Sequence, residues 1–501
     1  MKKKNILLLL TDEQRYDSLG CTGNKVVRTP NIDKLASEAC NFSRHITTNS
    51  VCMPSRASLM TGLYVPGHGV YANGIPLWRR DNGCPDENNI TCERRYGMKA
   101  PNKIPTMADM LLEKGYQTAL FGKLHAESSL ADPSYKFRGS TKFWEKEETA
   151  NIKEPYYGFE HTKFILGHGE SPFTYNGGHY GRYMLKEHPE IVENLKNHRV
   201  VDGVQGVYPS TVPLELHNSM WLADETCEYI DNHKDDDKPM FMFVGFPDPH
   251  AAVVPPEEIA KEFEDAPLPV FPVLDENFEK KTRGAKETIN RLQEDNKTIA
   301  LAWRYTQASV SLVDIAVGKI IKKLKEENLY DDTIIIFTSD HGDLLGDYGA
   351  FHKGDQPFKS LVHVPFVIKP QKDFEVLEKY DYPMSNADVL PTVFAMAGLE
   401  VPYPVQGVDI FKNGENNTPM STCFNMKGVD RNISLFDEKY RYTYVVDTGE
   451  EELYDHENDV AEYENLAVNP KYRKICDDMK AKLLLKHVEC NNGLYGYYGV
   501  W

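Results

Sequence analysis

A short segment over residues 50–62 holds side chains that could act as a nucleophile and its charged partner. Cys52 is followed closely by Pro54, Ser55 and Arg56. A fixed positive charge beside a thiol favours the thiolate, which is the reactive form of cysteine. A lone cysteine more often packs as a small buried residue in a loop. The spacing therefore makes Cys52 a candidate nucleophile and Arg56 its candidate partner, with the structural alternative still open.

Polar residues that suit a metal-assisted anion site follow four predicted strands. Asp12 and Glu13 follow the first, Lys123 and His125 a middle one, His250 another, and Asp340 and His341 a late one. In open α/β sheets the sites lie beyond the carboxyl ends of the strands, so these residues should meet at one edge. Carboxylate oxygens suit Ca²⁺, Mg²⁺ or Mn²⁺. Taken singly, each residue has a plainer explanation as a turn, a helix cap or a solvated charge.

Strands and helices alternate up to about residue 410, which predicts a doubly wound α/β domain with a large, mostly parallel sheet flanked by helices. The apolar run 6–10 reads as a strand buried on both faces. A long helix over 298–328 should turn five residues to the core, namely Leu312, Ile315, Ala316, Ile320 and Leu324. Residues 130–210 read as irregular loops or a lid. We expect a catalytic domain over 1–410 and a smaller C-terminal α+β subdomain over 411–501.

Composition excludes several classes of partner. The formal net charge of −18 argues against nucleic acid and disfavours long polyanions. The nine cysteines have irregular spacings, which favours free thiols, with a Cys84–Cys92 pair as the alternative in an oxidising compartment. The first apolar run is too short for a secretion signal and no stretch is long enough to span a membrane, so we expect a cytoplasmic enzyme without a membrane partner. A homo-oligomer remains open.

Several motifs resemble landmarks of the sulfatase family in the family's order. They are Thr11-Asp12-Glu13-Gln14-Arg15, Thr29-Pro30-Asn31-Ile32-Asp33-Lys34-Leu35, Cys52-Met53-Pro54-Ser55-Arg56, Gly122-Lys123-Leu124-His125, Pro249-His250, Thr338-Ser339-Asp340-His341-Gly342, Lys353-Gly354, Asp388-Val389-Leu390-Pro391-Thr392 and Leu453-Tyr454-Asp455. A motif with five fixed positions is far more specific than a lone glycine-rich loop. The likeness is weakest in the irregular region, where substrate contacts tend to lie.

The resemblance implies a role for each matching residue. Cys52 would be oxidised by a maturing enzyme to formylglycine, whose hydrated aldehyde is the nucleophile. The implied ligands of one divalent cation, Ca²⁺ with Mn²⁺ or Mg²⁺ as alternatives, are Asp12, Asp340, His341 and the modified Cys52, with Glu13 as a further candidate. Arg56 would fix the hydrated aldehyde and His125 would orient it. The implied sulfate contacts are Lys123, His250 and Lys353, and Asn73 in Tyr71-Ala72-Asn73-Gly74 is a further candidate.

The resemblance also implies a reaction. Asp340 would accept the proton of the attacking hydroxyl, and His250 would protonate the leaving alcohol, since an imidazole titrates near neutrality. The second hydroxyl of the hydrate would then lose its proton and expel sulfate, regenerating the aldehyde. The expected substrate is a sulfated sugar or another small sulfate ester.

Two other functions remain open. A phosphonate monoester or phosphodiester hydrolase could use the same pocket. If Cys52 is never converted, the chain could be a non-catalytic anion-binding protein. The candidates for recognition of the leaving group are Trp78, Arg79, Arg80, His168 and His179, which could equally be ordinary loop residues.

Overall fold

The computed structural model describes residues 4–77, 104–132, 135, 137–145, 155–197, 204, 206–376, 379–401, 405–424 and 431–491. The strands in this part of the chain are β1 (Asn5–Asp12), β2 (Cys40–Phe42), β3 (His45–Ile46), β4 (Gln117–Gly122), β5 (His161–Phe164), β6 (Met240–Pro249), β7 (Thr333–Ser339), β8 (His363–Val364), β9 (Phe366–Lys369), β10 (Lys379–Tyr380), β11 (Met384–Ser385), β12 (Met420–Phe424), β13 (Arg431–Phe436), β14 (Tyr440–Val445) and β15 (Glu451–Asp455).

The α-helices of the same residues are α1 (Pro30–Ser37), α2 (Cys52–Thr61), α3 (Val65–His68), α4 (Met107–Glu113), α5 (Thr141–Trp144), α6 (Pro172–Tyr175), α7 (Gly178–Glu187), α8 (Pro189–Asn197), α9 (Asn218–His233), α10 (Glu257–Ala260), α11 (Arg283–Leu292), α12 (Asn296–Glu326), α13 (Lys359–Val362), α14 (Asn386–Met396), α15 (Ile410–Asn413) and α16 (Arg473–Asn491). Among these described helices, none combines the length and the apolar character that crossing a membrane requires.

A large sheet confirms the predicted fold class. Its order is β10-β2-β9-β7-β1-β6-β4-β5. The five strands β7, β1, β6, β4 and β5 run parallel to one another, whereas β9 is antiparallel to β7 and β2. The chain divides at Pro365 into β8 and β9, which belong to different sheets. Proline has no N–H to give to a continuous ladder.

Helices cover both faces of this sheet, as alternate residues of β1 show. Leu7 and Leu9 pack in the core layer that contains α9 and α12. Ile6, Leu8 and Leu10 pack in the opposite layer with α2, α4 and α14. Successive side chains of a strand point to opposite faces, so a continuous apolar run is what a strand between two helical layers requires.

The long helix α12 confirms the predicted helix but not all of its predicted inner face. Leu312, Ala316, Ile320 and Leu324 are fully buried, whereas Ile315 is 39% exposed. At about 100° per residue, position 315 lies about 120° from the centre of the stripe formed by these buried residues. The assignment of Ile315 to the core is therefore wrong. Its apolar side chain suggested burial, but its angular position on the helix is outside the buried stripe.

The region expected to be irregular contains regular elements. Residues 161–164 form β5 at the edge of the large sheet, in parallel register with residues 119–122 of β4. Residues 178–187 and 189–197 form α7 and α8. A four-residue strand has too few positions for an apolar period to emerge, and it is stabilised here by pairing with its neighbour. The expectation of an irregular insertion is wrong for these stretches.

A separate antiparallel sheet follows the large one in the C-terminal part of the chain. Its order is β12-β13-β14-β15. Met479 and Leu483 of α16 pack with Met420, Leu435 and Leu453 of this sheet. The arrangement is the expected α+β unit, and its exact boundary at residue 410 remains a prediction.

A buried ion pair stabilises this C-terminal unit. Arg441 and Glu462 have side chains only 2% and 4% exposed. Arg441 donates from Nε and Nη2 to the two Glu462 oxygens, both at 2.8 Å, and His456 Nε2 lies 2.8 Å from Glu462 Oε1. Burial alone would raise the pKa of Glu462, but Arg441 and His456 hold that pKa well below its usual range.

We expect Glu462→Gln to lower the free energy of unfolding by about 3 kcal/mol at pH 7, because Arg441 then stays buried with only the longer 3.4 Å contact to the Glu452 carboxylate. A carboxyl group with a lowered folded pKa stabilises the fold above its ordinary pKa of about 4.3 and loses that contribution as the pH falls below it. The difference from wild type should therefore shrink below about pH 4. Urea unfolding at several pH values measures both effects.

The matched control for this prediction is Glu457→Gln, which breaks an exposed pair with Lys439. It should lower the free energy of unfolding by less than about 1 kcal/mol. Equal losses in the two variants would contradict the assignment of a stabilising role to the buried pair.

Candidate active site

The carboxyl ends of four adjacent strands bring the predicted site residues together. The strands β7, β1, β6 and β4 are consecutive neighbours in the sheet. Asp12 ends β1, Asp340 follows β7, Lys123 follows β4 and His250 follows β6. The prediction that these strand ends meet at one edge of one sheet is confirmed.

Cys52 lies at the centre of this edge as the first residue of α2. Its side chain is almost fully buried. The thiol Sγ lies 3.1 Å from His341 Nε2 and 3.7 Å from Asp12 Oδ1. The helix begins after an extended Val51 and ends at Gly62 in the left-handed region. The first turn of a helix presents free N–H groups, so Cys52 stands where negative charge is favoured.

Arg56 lies one helical turn after Cys52 on the same face of α2. Its guanidinium donates from Nε to Asp340 Oδ2 at 2.7 Å and from Nη2 to Asp12 Oδ2 at 3.0 Å. Nη1 donates to the backbone carbonyl of Lys123 at 2.6 Å. One buried cation thus joins the ends of three strands, and its planar group fixes the two carboxylates relative to each other.

Four side chains form a group that suits a cation. Ligand atoms of Asp12, Cys52, Asp340 and His341 all lie within 4.8 Å of one another and are buried. His341 Nδ1 lies 2.9 Å from the carbonyl oxygen of Gly342, which orients Nε2 toward the group. Burial disfavours a charged His341, but Asp340 and Cys52 raise its pKa to about 9. The donor set therefore fits a divalent cation, which would displace that proton.

Glu13 lies beside this group but not in it. Its carboxylate Oε2 lies 3.0 Å from Lys353 Nζ and 3.0 Å from His250 Nε2. Burial disfavours a charged imidazole, yet the Glu13 carboxylate raises the pKa of His250 to about 9. In this structure Glu13 orients the two predicted sulfate contacts, and its role as a cation ligand stays a prediction.

A second cluster of possible ligands contains Asp12, His168 and His250. The ammonium group of Lys123 lies within it, where it donates to Asp12 Oδ2 and faces His168 Nε2. A lysine ammonium already supplies positive charge at that point, so the cluster is best described as the environment of Lys123. Together, Lys123 and Lys353 place two ammonium groups at the mouth of the Cys52 pocket.

The cationic side chains favour ionisation of Cys52. Burial and the Asp12 carboxylate both oppose a thiolate, but Lys353, Lys123 and His341 outweigh them and lower the thiol pKa well below its usual value. A site that stabilises a negative sulfur in this way can also stabilise a negative oxygen at the same position.

Asn73 and His125 complete the predicted set beside Cys52. Asn73 Oδ1 accepts from the Met53 backbone N–H at 2.9 Å, and its Nδ2 lies 4.0 Å from Cys52 Sγ. Burial and Lys123 lower the pKa of His125, whose ring interacts with the Cys52 thiol. Both residues are therefore close enough to orient a group at position 52.

One residue of this site escaped the sequence reasoning. Asp343 is buried against Glu13, and burial followed by the Glu13 charge raises the pKa of Asp343 to about 8. Asp343 Oδ1 accepts backbone N–H groups from Leu345 at 2.6 Å and His352 at 3.0 Å. It thereby connects the loop after β7 to the loop that carries Lys353. The sequence signal that could have identified Asp343 is its position directly after Asp340-His341-Gly342.

The candidates for leaving-group recognition divide into three cases. His168 lies in the site, with Nε2 3.6 Å from Asp12 Oδ2. His179 does not, because its Nδ1 accepts the Phe164 N–H at 2.9 Å and its ring packs on Phe164 and Trp144. These contacts favour the plainer alternative for His179, in which the imidazole serves the packing of α7 on β5. Trp78, Arg79 and Arg80 lie outside the described residues.

Comparisons with known proteins find similarity along most of the chain. The family model "Sulfatase" matches residues 4–399, and the model "N-sulphoglucosamine sulphohydrolase, C-terminal" matches residues 346–489. An arylsulfatase of Clostridium perfringens is 26% identical over 513 residues, covering 97% of this chain and 95% of its own. An N-acetylglucosamine-6-O-sulfatase of Bacteroides thetaiotaomicron is 23% identical over 480 residues, covering 83% and 72%.

A solved structure shows the same fold. The phosphonate monoester hydrolase of Agrobacterium radiobacter superposes with a TM-score of 0.74 at 22% identity, covering 97% of this chain and 96% of its own.

Proposed function

The chain belongs to the sulfatase family of sulfuric ester hydrolases, and on that premise we propose that it hydrolyses a small organic sulfate ester with a formylglycine made from Cys52. The observation that carries this proposal is the position of Cys52. It begins a helix, is buried, and lies in one group with Asp12, Asp340 and His341. A separate maturing enzyme would supply the oxidant that converts the thiol.

The residues around Cys52 have complementary tasks in this reaction. When bound, a divalent cation, with Ca²⁺ as the first candidate and Mn²⁺ or Mg²⁺ as alternatives, would act as a Lewis acid that increases the acidity of the attacking hydroxyl. Its ligands would be Asp12, Asp340, His341 and the modified Cys52. Arg56 holds the two carboxylates in place and faces the nucleophile from one side.

The opposite side of the pocket binds the sulfate group. Lys123 and Lys353 bring two ammonium groups toward the oxygens of the transferred SO₃ group, as cationic residues do in phosphoryl transfer. His250, whose pKa the Glu13 carboxylate raises, would give a proton to the leaving alcohol. Asn73 and His125 orient the hydrated aldehyde. Each of these tasks requires the side chain that performs it to lie close to residue 52.

We propose a sulfated sugar as the substrate class. The Bacteroides relative named above is, by its name, a sulfatase of N-acetylglucosamine 6-O-sulfate. Net charge supports a small ester over a long polyanion, because a chain with a formal charge of −18 repels extended polyanions.

The test combines peptide mass with substrate choice. We expect the Cys52 peptide of protein purified from its natural host to have the mass of formylglycine. We expect turnover of an aryl sulfate to exceed turnover of the matched aryl phosphonate by at least about 10²-fold, and a chelator to abolish it. Faster cleavage of the phosphonate would favour the phosphonate monoester hydrolase, whose representative shares the fold. An unmodified thiol that binds sulfate without turnover would favour the anion-binding protein.

A further inference from the structure

His168 stacks face to face on His250. The two ring centroids are 3.6 Å apart and the ring planes differ by 6°. The His250 ring carries the nitrogen that faces Glu13 and Lys353. His168 therefore covers one face of the proposed proton donor and restricts how that ring can turn.

The other contact of His168 is with the sulfate-binding lysine. His168 Nε2 faces the ammonium group of Lys123, which also donates to Asp12. Since a lysine ammonium only donates, the imidazole nitrogen is the acceptor in this pair. The Lys123 side chain is flexible, so its two acceptors, on His168 and Asp12, favour one position of the ammonium group.

The local sequence Gly167-His168-Gly169 explains why the ring reaches His250. Both glycines have a positive φ, 78° and 50°. A Cβ at Gly169 would lie 2.6 Å from the carbonyl oxygen of Ala252, so only glycine allows this turn to approach the backbone that follows His250. The carbonyl oxygen of His168 accepts from the Ser171 N–H at 3.2 Å, which fixes the turn.

We propose that His168 is a positioning residue with two separable actions, the ring holding His250 against the leaving group and Nε2 holding the Lys123 ammonium toward the sulfate. This inference rests on the proposed function, in which His250 protonates the leaving alcohol. It assigns the Gly167–Gly169 turn a role in leaving-group chemistry.

Two substitutions separate the two actions. His168→Phe keeps an aromatic face on His250 but removes the acceptor for Lys123. His168→Asn keeps an acceptor but removes the ring. Each is compared with wild type on two esters, 4-nitrophenyl sulfate, whose leaving group needs little protonation, and an alkyl sulfate, whose alkoxide needs a proton.

We expect His168→Asn to lower kcat for the alkyl sulfate about tenfold more than kcat for the nitrophenyl ester, because general acid catalysis matters only for the poor leaving group. We expect His168→Phe to raise KM about fivefold to tenfold for both esters. The ratio of their kcat values should stay unchanged, because both esters present the same sulfate group to Lys123.

The matched control is His179→Asn, which changes a histidine that is also stacked on an aromatic ring but whose Nδ1 accepts from the Phe164 backbone N–H. A substitution that only destabilises the fold should lower the activity on both esters by the same factor. Such a uniform loss in both His168 variants, with an active wild type, would overturn this inference and leave the proposed function intact. A wild-type enzyme with the formylglycine mass that cleaves neither these two esters nor a sulfated sugar would overturn both.

Discussion

Replacing Cys52 with alanine will lower kcat/KM for an aryl sulfate by at least about 10⁴-fold, because alanine cannot be oxidised to the formylglycine whose hydrated aldehyde is the nucleophile. The change is small in volume, so the free energy of unfolding should fall by only about 1 kcal/mol. Steady-state kinetics and urea unfolding of the same preparation measure the two quantities.

The matched control for this variant is Cys40→Ala. Cys40 is also a free, fully buried cysteine. It lies in β2, near one edge of the large sheet, whereas the catalytic residues follow the central strands. It should keep near-wild-type activity at a similar change in stability. Full activity in Cys52→Ala would exclude the nucleophile assignment, whereas retained sulfate binding without turnover is what the assignment requires.

The sequence allowed the placement of the catalytic edge because two independent signals agreed. Strand β1 is a run of apolar residues that ends in Asp12, and β7 is a run that ends before Asp340. Each run must be buried between helical layers, so the polar residues after it must emerge at an edge. Parallel strands emerge at the same edge, which is why residues more than 300 positions apart could be predicted to meet.

The contacts within the edge could not be predicted in the same way. Glu13 follows Asp12 directly, so its position in the chain suggested a second ligand. Its backbone has a positive φ of 65°, and its side chain contacts Lys353 and His250, which residue spacing did not indicate. A conformation of this kind is set by the surrounding loops and leaves no trace in residue spacing.

Sequence periodicity could not predict the short elements either. β5 is a four-residue strand, and its place is set by the neighbouring β4. The ring of His168 lies 82 residues before His250 in the chain and meets it because the turn after β5 approaches the segment after β6. Tertiary packing decides both features, and an isolated sequence window does not contain it.

Replacing Arg56 with glutamine will weaken both the fold and the reaction. Arg56 is 2% exposed and joins Asp12 and Asp340, so in the cation-free protein the variant leaves two carboxylates buried without their shared partner. We expect the free energy of unfolding to fall by about 3–5 kcal/mol. Activity should fall by about 10²–10³-fold, since a charged group beside the nucleophile is lost.

The divalent cation gives this prediction its sharpest test, because it supplies positive charge at the same two carboxylates. Without the guanidinium those carboxylates attract a cation more strongly, and a ligand stabilises the folded state in proportion to the logarithm of its binding constant. Adding Ca²⁺ to chelator-treated protein should therefore raise the melting temperature more in Arg56→Gln than in wild type. The control Arg28→Gln breaks an exposed pair with Glu262 and should respond to Ca²⁺ as wild type does. An equal rise in all three proteins would show that Arg56 and the cation do not act on the same carboxylates, and the proposed ligand set would have to be abandoned.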